Sequence, residues 1–293
     1  MSVLQPFFVM FFRPGALVTA LLLPLLLSWA APAVAGETSW AETLHARARL
    51  ITGTDHTANG ARRLVAGIHV QLEKGWKTYW RNPGDAGLPP SFDWSGSRNV
   101  KSATVLWPAP KRFPDPYGAS IGYKNEVVFP VLVEPEDPAR PVDLRVHFEY
   151  AVCLDVCIPA EAKLAARIEA QPRASSAHAA LLARYLKRVP APAGTVAGAP
   201  ELRDLEIDLS SGKPHITIDA AFPSGTQGAD IFVEVSPPLY IPMTRKISEQ
   251  PGGVQRYRID LAKGDDPAEL KGKTLTFTLV SNASSCEVKR MVD

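Results

Sequence analysis

The sequence predicts an all-β fold made of two antiparallel β-sandwiches, joined by a short helix and a linker rich in Pro, Ala and Gly. Apolar residues alternate with mainly polar ones in many short segments, which is the two-residue period of a strand with one buried face. Pro and Gly turns separate these segments, as is typical of antiparallel sandwiches. The pattern therefore favours a β protein over a helical one.

The first 35 residues are predicted to be a secretory signal peptide rather than part of the fold. An apolar run from Ala16 to Leu27 follows Arg13, and the small residues Ala33-Val34-Ala35 suit cleavage before Gly36. A retained membrane anchor is the less favoured alternative, because the run is shorter than the ~20 residues that a span needs. We expect a periplasmic product with no transmembrane segment in the processed chain.

Residues 36–172 and 201–293 are the predicted sandwiches, and residues 173–200 are the predicted helix and linker. The helix is expected over Arg173–Val189, with Ser175 or Ser176 as its N-cap. A linker rich in Pro, Ala and Gly follows over 190–200. Alternating strands are expected at Leu64–Leu72 in the first sandwich, and in the second at Leu205–Leu209, Ile216–Ala220, Ile231–Val235, Tyr257–Leu261 and Leu275–Leu279.

Composition and motifs exclude several classes of function. The 32 Lys and Arg nearly balance the 30 Asp and Glu, which leaves no basic cluster for nucleic acid. The sequence has no Gly-rich phosphate loop, HExxH motif or nucleophile elbow, and its three cysteines are spaced wrongly for a four-ligand zinc site. We expect no cofactor and no bound metal.

The most informative segment runs from Val142 to Ala170, where two alternating strands flank Cys153 and Cys157. If these cysteines face each other across a three-residue loop, Val146 faces Leu164, and the other opposed pairs are apolar as well. Directly opposed Cα atoms lie ~4.5–5.5 Å apart, which suits a disulfide. The same parity places both sulfurs on the outward face. Pro159 then requires an edge strand or a bulge.

Spacing alone leaves the role of this cystine open between thiol exchange, a structural staple and a metal site. Closing so short a loop is worth only ~2 kcal/mol, which weakens the staple interpretation. An exposed pair is instead well placed for attack by an incoming thiolate. Asp155 lies between the cysteines and no cationic residue does, which disfavours thiolates and so weakly favours a reductant.

Three segments resemble the N-terminal periplasmic domain of DsbD-type protein-disulfide reductases, including the copper-tolerance branch called ScsB. Phe148–Cys153 together with Cys157–Glu161 is similar to the redox hairpin of that domain. Gly75–Asp85 resembles its early aromatic segment, and Asp115–Tyr123 resembles its cap loop. The likeness covers most of residues 37–172. Beyond residue 200 only a second sandwich similar to the longer ScsB-like arrangement is indicated.

The resemblance implies an immunoglobulin-like domain that acts as a component of a protein-disulfide reductase. Its pair would receive electrons from a membrane-embedded thiol reductase and pass them to periplasmic thioredoxin-like or disulfide-bonded proteins. By this analogy the exchanging residues are Cys153 and Cys157, and Asp115 assists proton transfer. The analogy assigns the cap or partner-binding surface to Tyr117, Pro116, Tyr123, Trp76 and Tyr79.

The rival function is a non-catalytic β-sandwich that binds carbohydrate or copper and carries a structural disulfide. Aromatic residues concentrate between Trp76 and Phe129, although most of these are expected in the core. A copper site would have to use His69, His147 or Met243, whose spacing gives no support. The third cysteine, Cys286, is expected to be a buried or spare thiol.

Overall fold

The computed structural model describes residues 39–56, 60, 62–85, 87–115, 118–170 and 176–293, without the side chains of His56 and Arg62. The predicted signal peptide, Pro116 and Tyr117 lie outside the described residues. Within them the chain forms antiparallel sheets stacked as two sandwiches, as the alternating pattern predicts. No helix of the described part is both long and apolar enough to cross a bilayer.

In the part of the chain that the structure describes, eleven strands build the first sandwich. One sheet has the order β1-β2-β3-β9-β6, and the other has the order β11-β10-β4-β8-β7, with β5 pairing beside β10. The strands are β1 (Ala41–Thr43), β2 (Ala46–His56), β3 (Arg62–Leu72), β4 (Lys77–Gly84), β5 (Ser91–Asp93), β6 (Ser102–Val105), β7 (Lys111–Asp115), β8 (Gly118–Lys124), β9 (Glu126–Glu134), β10 (Val142–Cys153) and β11 (Cys157–Ile168).

The second sandwich begins with a strand that the sequence predicts as linker. Its sheets have the orders β12-β19-β18-β15 and β13-β14-β17-β16. The strands are β12 (Ala191–Pro192), β13 (Glu201–Asp208), β14 (His215–Ala221), β15 (Asp230–Ser236), β16 (Arg245–Gln250), β17 (Val254–Asp260), β18 (Thr274–Val280) and β19 (Ser285–Met291), with single 3-10 turns at Leu261–Lys263 and Pro267–Leu270. The short β12 pairs in parallel with β19, so the linker adds an edge to this sandwich.

The helix between the sandwiches is shorter than predicted. It forms α1 over Ala179–Leu186, and its N-cap is His178, not a serine. Ser176 precedes the cap, where its hydroxyl accepts a hydrogen bond from the His178 backbone N–H at 3.1 Å. Ser175 lies outside the described part of the chain.

Helix α1 packs on the outer face of the first sandwich and changes the burial of β3. The sequence predicts one buried face for this strand, yet Val65, Gly67 and His69 on the other face are buried too. Leu182 of α1 explains the difference, because it lies so close to Gly53 and Gly67 that a Cβ at either position would overlap its methyl groups. The absence of a side chain at these two glycines therefore leaves the space that Leu182 of the helix occupies.

Contacts between the sandwiches are both apolar and ionic. Phe232 and Val280 of the second sandwich belong to the buried core of the first, and the Phe232 ring centroid lies 5.8 Å from that of Trp80. Arg112 makes two 2.8 Å bonds to the Asp230 carboxylate, and Arg81 bonds to Glu234 and Glu287. These contacts fix β4 and β7, the two strands that supply residues to the site below.

Candidate functional site: a disulfide at the end of a hairpin

The β10–β11 hairpin brings the two cysteines together in the predicted register. Val142 pairs with Ile168, the pairing continues without a break, and the last pair is Cys153 with Cys157. Their Cα atoms lie 4.2 Å apart, and the sulfurs form a disulfide. Pro159 lies on β11, which is the last strand in its sheet order. An edge strand tolerates a proline, which has no N–H to donate, better than a central strand does. The register prediction is confirmed.

The two sulfurs differ in accessibility, which corrects the expectation that both are exposed. Cys153 is 1% exposed, whereas Cys157 is exposed. The cause is the neighbouring strand β4, because its first residue, Lys77, pairs with Cys153 and its Tyr79 lies over the Cys153 sulfur. Thr78 strengthens this connection by donating its hydroxyl hydrogen to the Ala151 carbonyl at 2.9 Å. An incoming thiolate therefore meets Cys157 and not Cys153.

Tyr79 covers the buried sulfur. Its hydroxyl donates to Cys153 Sγ at 2.8 Å and lies 2.9 Å from Cys157 Sγ. The residue is 1% exposed and forms a small buried cluster with Ala151 and Cys153. Gly87 lies against its ring, since a Cβ at that position would overlap the ring atoms. A phenol O–H is thus held between the two sulfurs.

The environment of Tyr79 keeps its proton in place. Burial raises the pKa of Tyr79 above its usual value, and the negative charge of Asp115 raises it further. At neutral pH the hydroxyl is therefore protonated and able to donate. A hydrogen bond from such a group stabilises a thiolate more than a neutral thiol or a disulfide sulfur.

Asp115 and a lysine that sequence reasoning missed complete the group. Lys77 is 6% exposed, and its Nζ lies 3.2 Å from Asp115 Oδ2. The turn between the cysteines holds no cation, as the sequence shows, but β4 places Lys77 opposite Cys153 from a distant part of the sequence. A signal was present: Lys77 precedes Tyr79 by two residues and so shares its face of the strand.

The turn beside Cys157 exposes two apolar side chains. In the turn, Leu154 is 48% exposed and Val156 is 71% exposed, on either side of the exposed Asp155. A groove of about 420 Å³ runs beside Pro159, lined also by Leu88, Pro89, Ser91, Glu149, Tyr150, Ala160 and Glu161. Exposed apolar side chains around a reactive atom are typical of a surface that contacts another protein.

Of the other predicted cap residues, the two that the structure describes, Tyr123 and Trp76, make contacts elsewhere. Tyr123 faces the core, where its hydroxyl donates to the Pro108 carbonyl at 2.7 Å and its ring packs edge-on against Phe129. Trp76 stacks on His45 with ring centroids 3.9 Å apart. Of the predicted residues that the structure describes, it brings together Cys153, Cys157, Tyr79 and Asp115.

The candidate metal ligands belong to separate places in the fold. His69 is buried and bonded to Glu126 at 2.9 Å, and Met243 lies 3.7 Å from an Arg112 nitrogen. His147 has Glu149 and Glu161 within reach, with ligand atoms no more than 4.8 Å apart, but both glutamates are exposed. Exposed acidic groups often meet without an ion, so this cluster alone does not define a metal site.

Comparisons with known proteins agree with this geometry. Residues 52–168 match the family model for the N-terminal region of the thiol:disulfide interchange protein DsbD. The chain is also similar to the crystal structure of the N-terminal periplasmic domain of ScsB from Proteus mirabilis, with a TM-score of 0.64 and 22% sequence identity over 88% of this chain and 98% of that one. At this identity the likeness shows the fold.

No curated protein gives a significant match to the sequence. The family match nevertheless spans the whole β10–β11 hairpin and its disulfide. The sandwich formed by this part of the chain therefore matches the model of the DsbD N-terminal domain family over residues 52–168.

Proposed function

We propose that the chain is an exported thiol–disulfide exchange protein. Its Cys153–Cys157 pair passes electrons from a membrane-embedded thiol reductase to periplasmic thioredoxin-like or disulfide-bonded proteins. The observation that carries the proposal is the unequal exposure of the two sulfurs, with Cys157 open to solvent and Cys153 beneath Tyr79. The family match and the fold shared with a periplasmic domain support the compartment and the kind of partner.

The geometry supports a definite order of events. In the oxidised protein a partner thiolate attacks Cys157 Sγ, a new S–S bond forms there, and the electron pair of the old bond moves to Cys153 Sγ. A second thiolate of the partner then attacks the partner sulfur of this mixed disulfide, and the electron pair of that bond leaves on Cys157 Sγ, so that both cysteines are reduced. In the reduced protein the exposed Cys157 thiolate attacks the disulfide of a target. Cys153 then attacks Cys157 Sγ, restores the internal disulfide and releases the reduced target.

Trapping of mixed disulfides tests the proposal. Cys153→Ala leaves the accessible cysteine without its resolving partner, so we expect disulfide-linked adducts in periplasmic extracts that disappear on reduction. Cys157→Ala is the matched variant and should trap far less, because the remaining sulfur is buried. Equal trapping by both variants would contradict the order of attack, and no trapping by either would contradict exchange itself.

A redox titration against glutathione separates exchange from a structural staple. An exchanging pair reaches equilibrium within the range that glutathione buffers cover, whereas structural disulfides resist reduction by that pool. A pair that stays oxidised in strongly reducing buffer would favour the staple.

The sugar-binding rival receives little support, since Phe92, Phe129 and Phe148 pack against one another inside the sandwich.

A further inference from the structure

Two charged residues, Asp115 and Lys77, lie beside the disulfide, and the exchange steps proposed above do not use Lys77. Lys77 is the cross-strand partner of Cys153. Directly opposed residues in an antiparallel pair lie on the same face, with Cβ atoms roughly 4.5–5.5 Å apart. The Lys77 side chain therefore starts beside the buried sulfur, on the same face as Tyr79.

Burial of this ammonium group requires a reason. Removing an ammonium from water is energetically unfavourable unless an opposite charge compensates. In the oxidised protein Asp115 supplies that charge at 3.2 Å, and its own side chain is only 19% exposed. The strand could have buried an apolar residue here at no such cost.

Reduction creates a second negative charge at this place. When a thiolate attacks Cys157 Sγ, the bond between the two cysteine sulfurs breaks and its electron pair stays on Cys153 Sγ. The leaving sulfur is buried, so water stabilises the developing charge poorly. Tyr79 offers one hydrogen bond, and Lys77 is the buried cation that pairs across the strands with Cys153.

We infer that Lys77 is a positioning residue that holds the negative charge on the Cys153 sulfur during exchange, with Asp115 as its counter-ion while the pair is oxidised. The ammonium is shared between a permanent carboxylate and a transient thiolate. This inference rests on the proposed exchange function and deepens it, because it explains how a buried sulfur can act as the leaving group.

Within the described residues, other ionisable groups lie on the elements around the site. Tyr79 is on β4 and Asp115 on β7, while Asp155 is in the exposed turn. Lys124 of β8 pairs with Lys77 from the other side, but it is exposed and lies over the Phe113 ring at 4.8 Å. Asp115 and Asp155 oppose a thiolate, so Lys77 is a buried positive charge that favours it, beside the hydrogen bond from Tyr79.

The test measures ionisation of Cys153 directly in the full chain. Cys157→Ala combined with Cys286→Ala leaves Cys153 as the only thiol, and its ultraviolet thiolate absorbance gives the pH of half-ionisation. Adding Lys77→Met should raise this pH by about 1–3 units, the range for loss of an adjacent opposite charge. Lys77→Arg should restore it, and Lys163→Met, which removes an exposed lysine from β11, should leave it unchanged.

Asp115→Asn provides a second measurement in the opposite direction. Removing the carboxylate frees the ammonium for the thiolate, so the pH of half-ionisation should fall. A merely structural role for the pair would not shift the two variants in opposite directions. If Lys77→Met does not fold, Asp115→Asn and Lys77→Gln decide the question, and no shift in the folded variants overturns the inference.

Failure of this inference is distinguishable from failure of the proposed function. The ionisation measurement needs no partner protein, whereas the trapping experiment depends on one. Trapped adducts together with an unshifted half-ionisation pH would remove Lys77 from the mechanism and leave exchange intact. Opposite shifts without adducts would keep the charge arrangement and contradict exchange.

Discussion

At the scale of single residues, the site consists of one buried and one exposed sulfur, with the Tyr79 hydroxyl in contact with both. Tyr79 contacts both sulfurs, but it is fixed from behind by Gly87 and from the side by the packing of Ala151. A hydroxyl held in this way does not have to reorganise when charge appears on Cys153. Its contribution should therefore appear in the rate of exchange as well as in stability.

Tyr79→Phe should slow reduction of the disulfide by about 10- to 100-fold. The substitution keeps the ring and removes one hydrogen bond to the leaving thiolate, and such bonds to charged groups are worth about 1.5–3 kcal/mol. The second-order rate constant with dithiothreitol, followed by alkylation and mass spectrometry, measures the effect. Tyr123→Phe is the matched control, because its hydroxyl bonds to Pro108 in the core. An equal loss of rate in both variants would contradict the proposal that the Tyr79 hydroxyl stabilises the leaving thiolate.

Part of this site is predictable from sequence and part is not. The Cys153–Cys157 register follows from parity within one short hairpin, where an error of one residue would expose every apolar side chain. The burial of Cys153 and the position of Lys77 depend on pairing between β4 and β10, which are far apart in sequence. No local pattern specifies which residue of β4 meets the end of β10.

At the scale of elements, helix α1 and strands β3 and β9 share a buried polar centre. His69 Nδ1 accepts a hydrogen bond from Arg49 at 3.3 Å, so the neutral ring donates from Nε2 to Glu126 at 2.9 Å. Tyr185 of α1 also donates to Glu126, to its backbone carbonyl at 3.1 Å. The sequence predicts β3 and α1 separately, but it does not indicate that the helix covers the strand.

The protonation of His69 should make stability depend on pH. Burial lowers the pKa of His69 below 6.5, and the hydrogen bond and charge of Glu126 offset this only in part. The unfolded chain therefore binds the proton more readily, and the free energy of unfolding should fall as the pH drops below about 6.5. Urea unfolding at a series of pH values measures this.

His69→Gln is the informative variant in that series. It cannot take up the proton, so its free energy of unfolding should change less with pH across the same range. His147→Gln, on the half-exposed outer face of β10, is the control and should keep the dependence of the parent protein. A slope that is the same in the parent protein and in His69→Gln would refute the assignment.

At the scale of the whole molecule, the two sandwiches are joined by packed structure rather than by a loose tether. The residues predicted as helix and linker supply α1 to the first sandwich and β12 to the second. Arg112 and Arg81 then connect β7 and β4 to the second sandwich. The second sandwich therefore braces the two strands that carry Asp115, Lys77 and Tyr79.

A double-mutant cycle on Arg112→Ala and Asp230→Ala should give a coupling free energy of about 1–3 kcal/mol. The pair is bidentate and only 25% and 20% exposed, so it is less screened than surface pairs worth ~0.2–1 kcal/mol. Urea unfolding of the four proteins measures the coupling. The exposed Arg167–Asp143 pair is the reference cycle, and equal couplings in both cycles would show that the interface adds nothing.

The burial of the Cys153 sulfur also affects how the reduced pair responds to an oxidant such as peroxide. A peroxide that reaches the reduced protein should convert the outer thiol to a sulfenic acid, since the inner one is shielded by the phenol. The inner thiol can then displace water from that acid and regenerate the cystine. We expect the sulfenic acid on Cys157 to be converted back to the disulfide before a second equivalent of oxidant reacts with it.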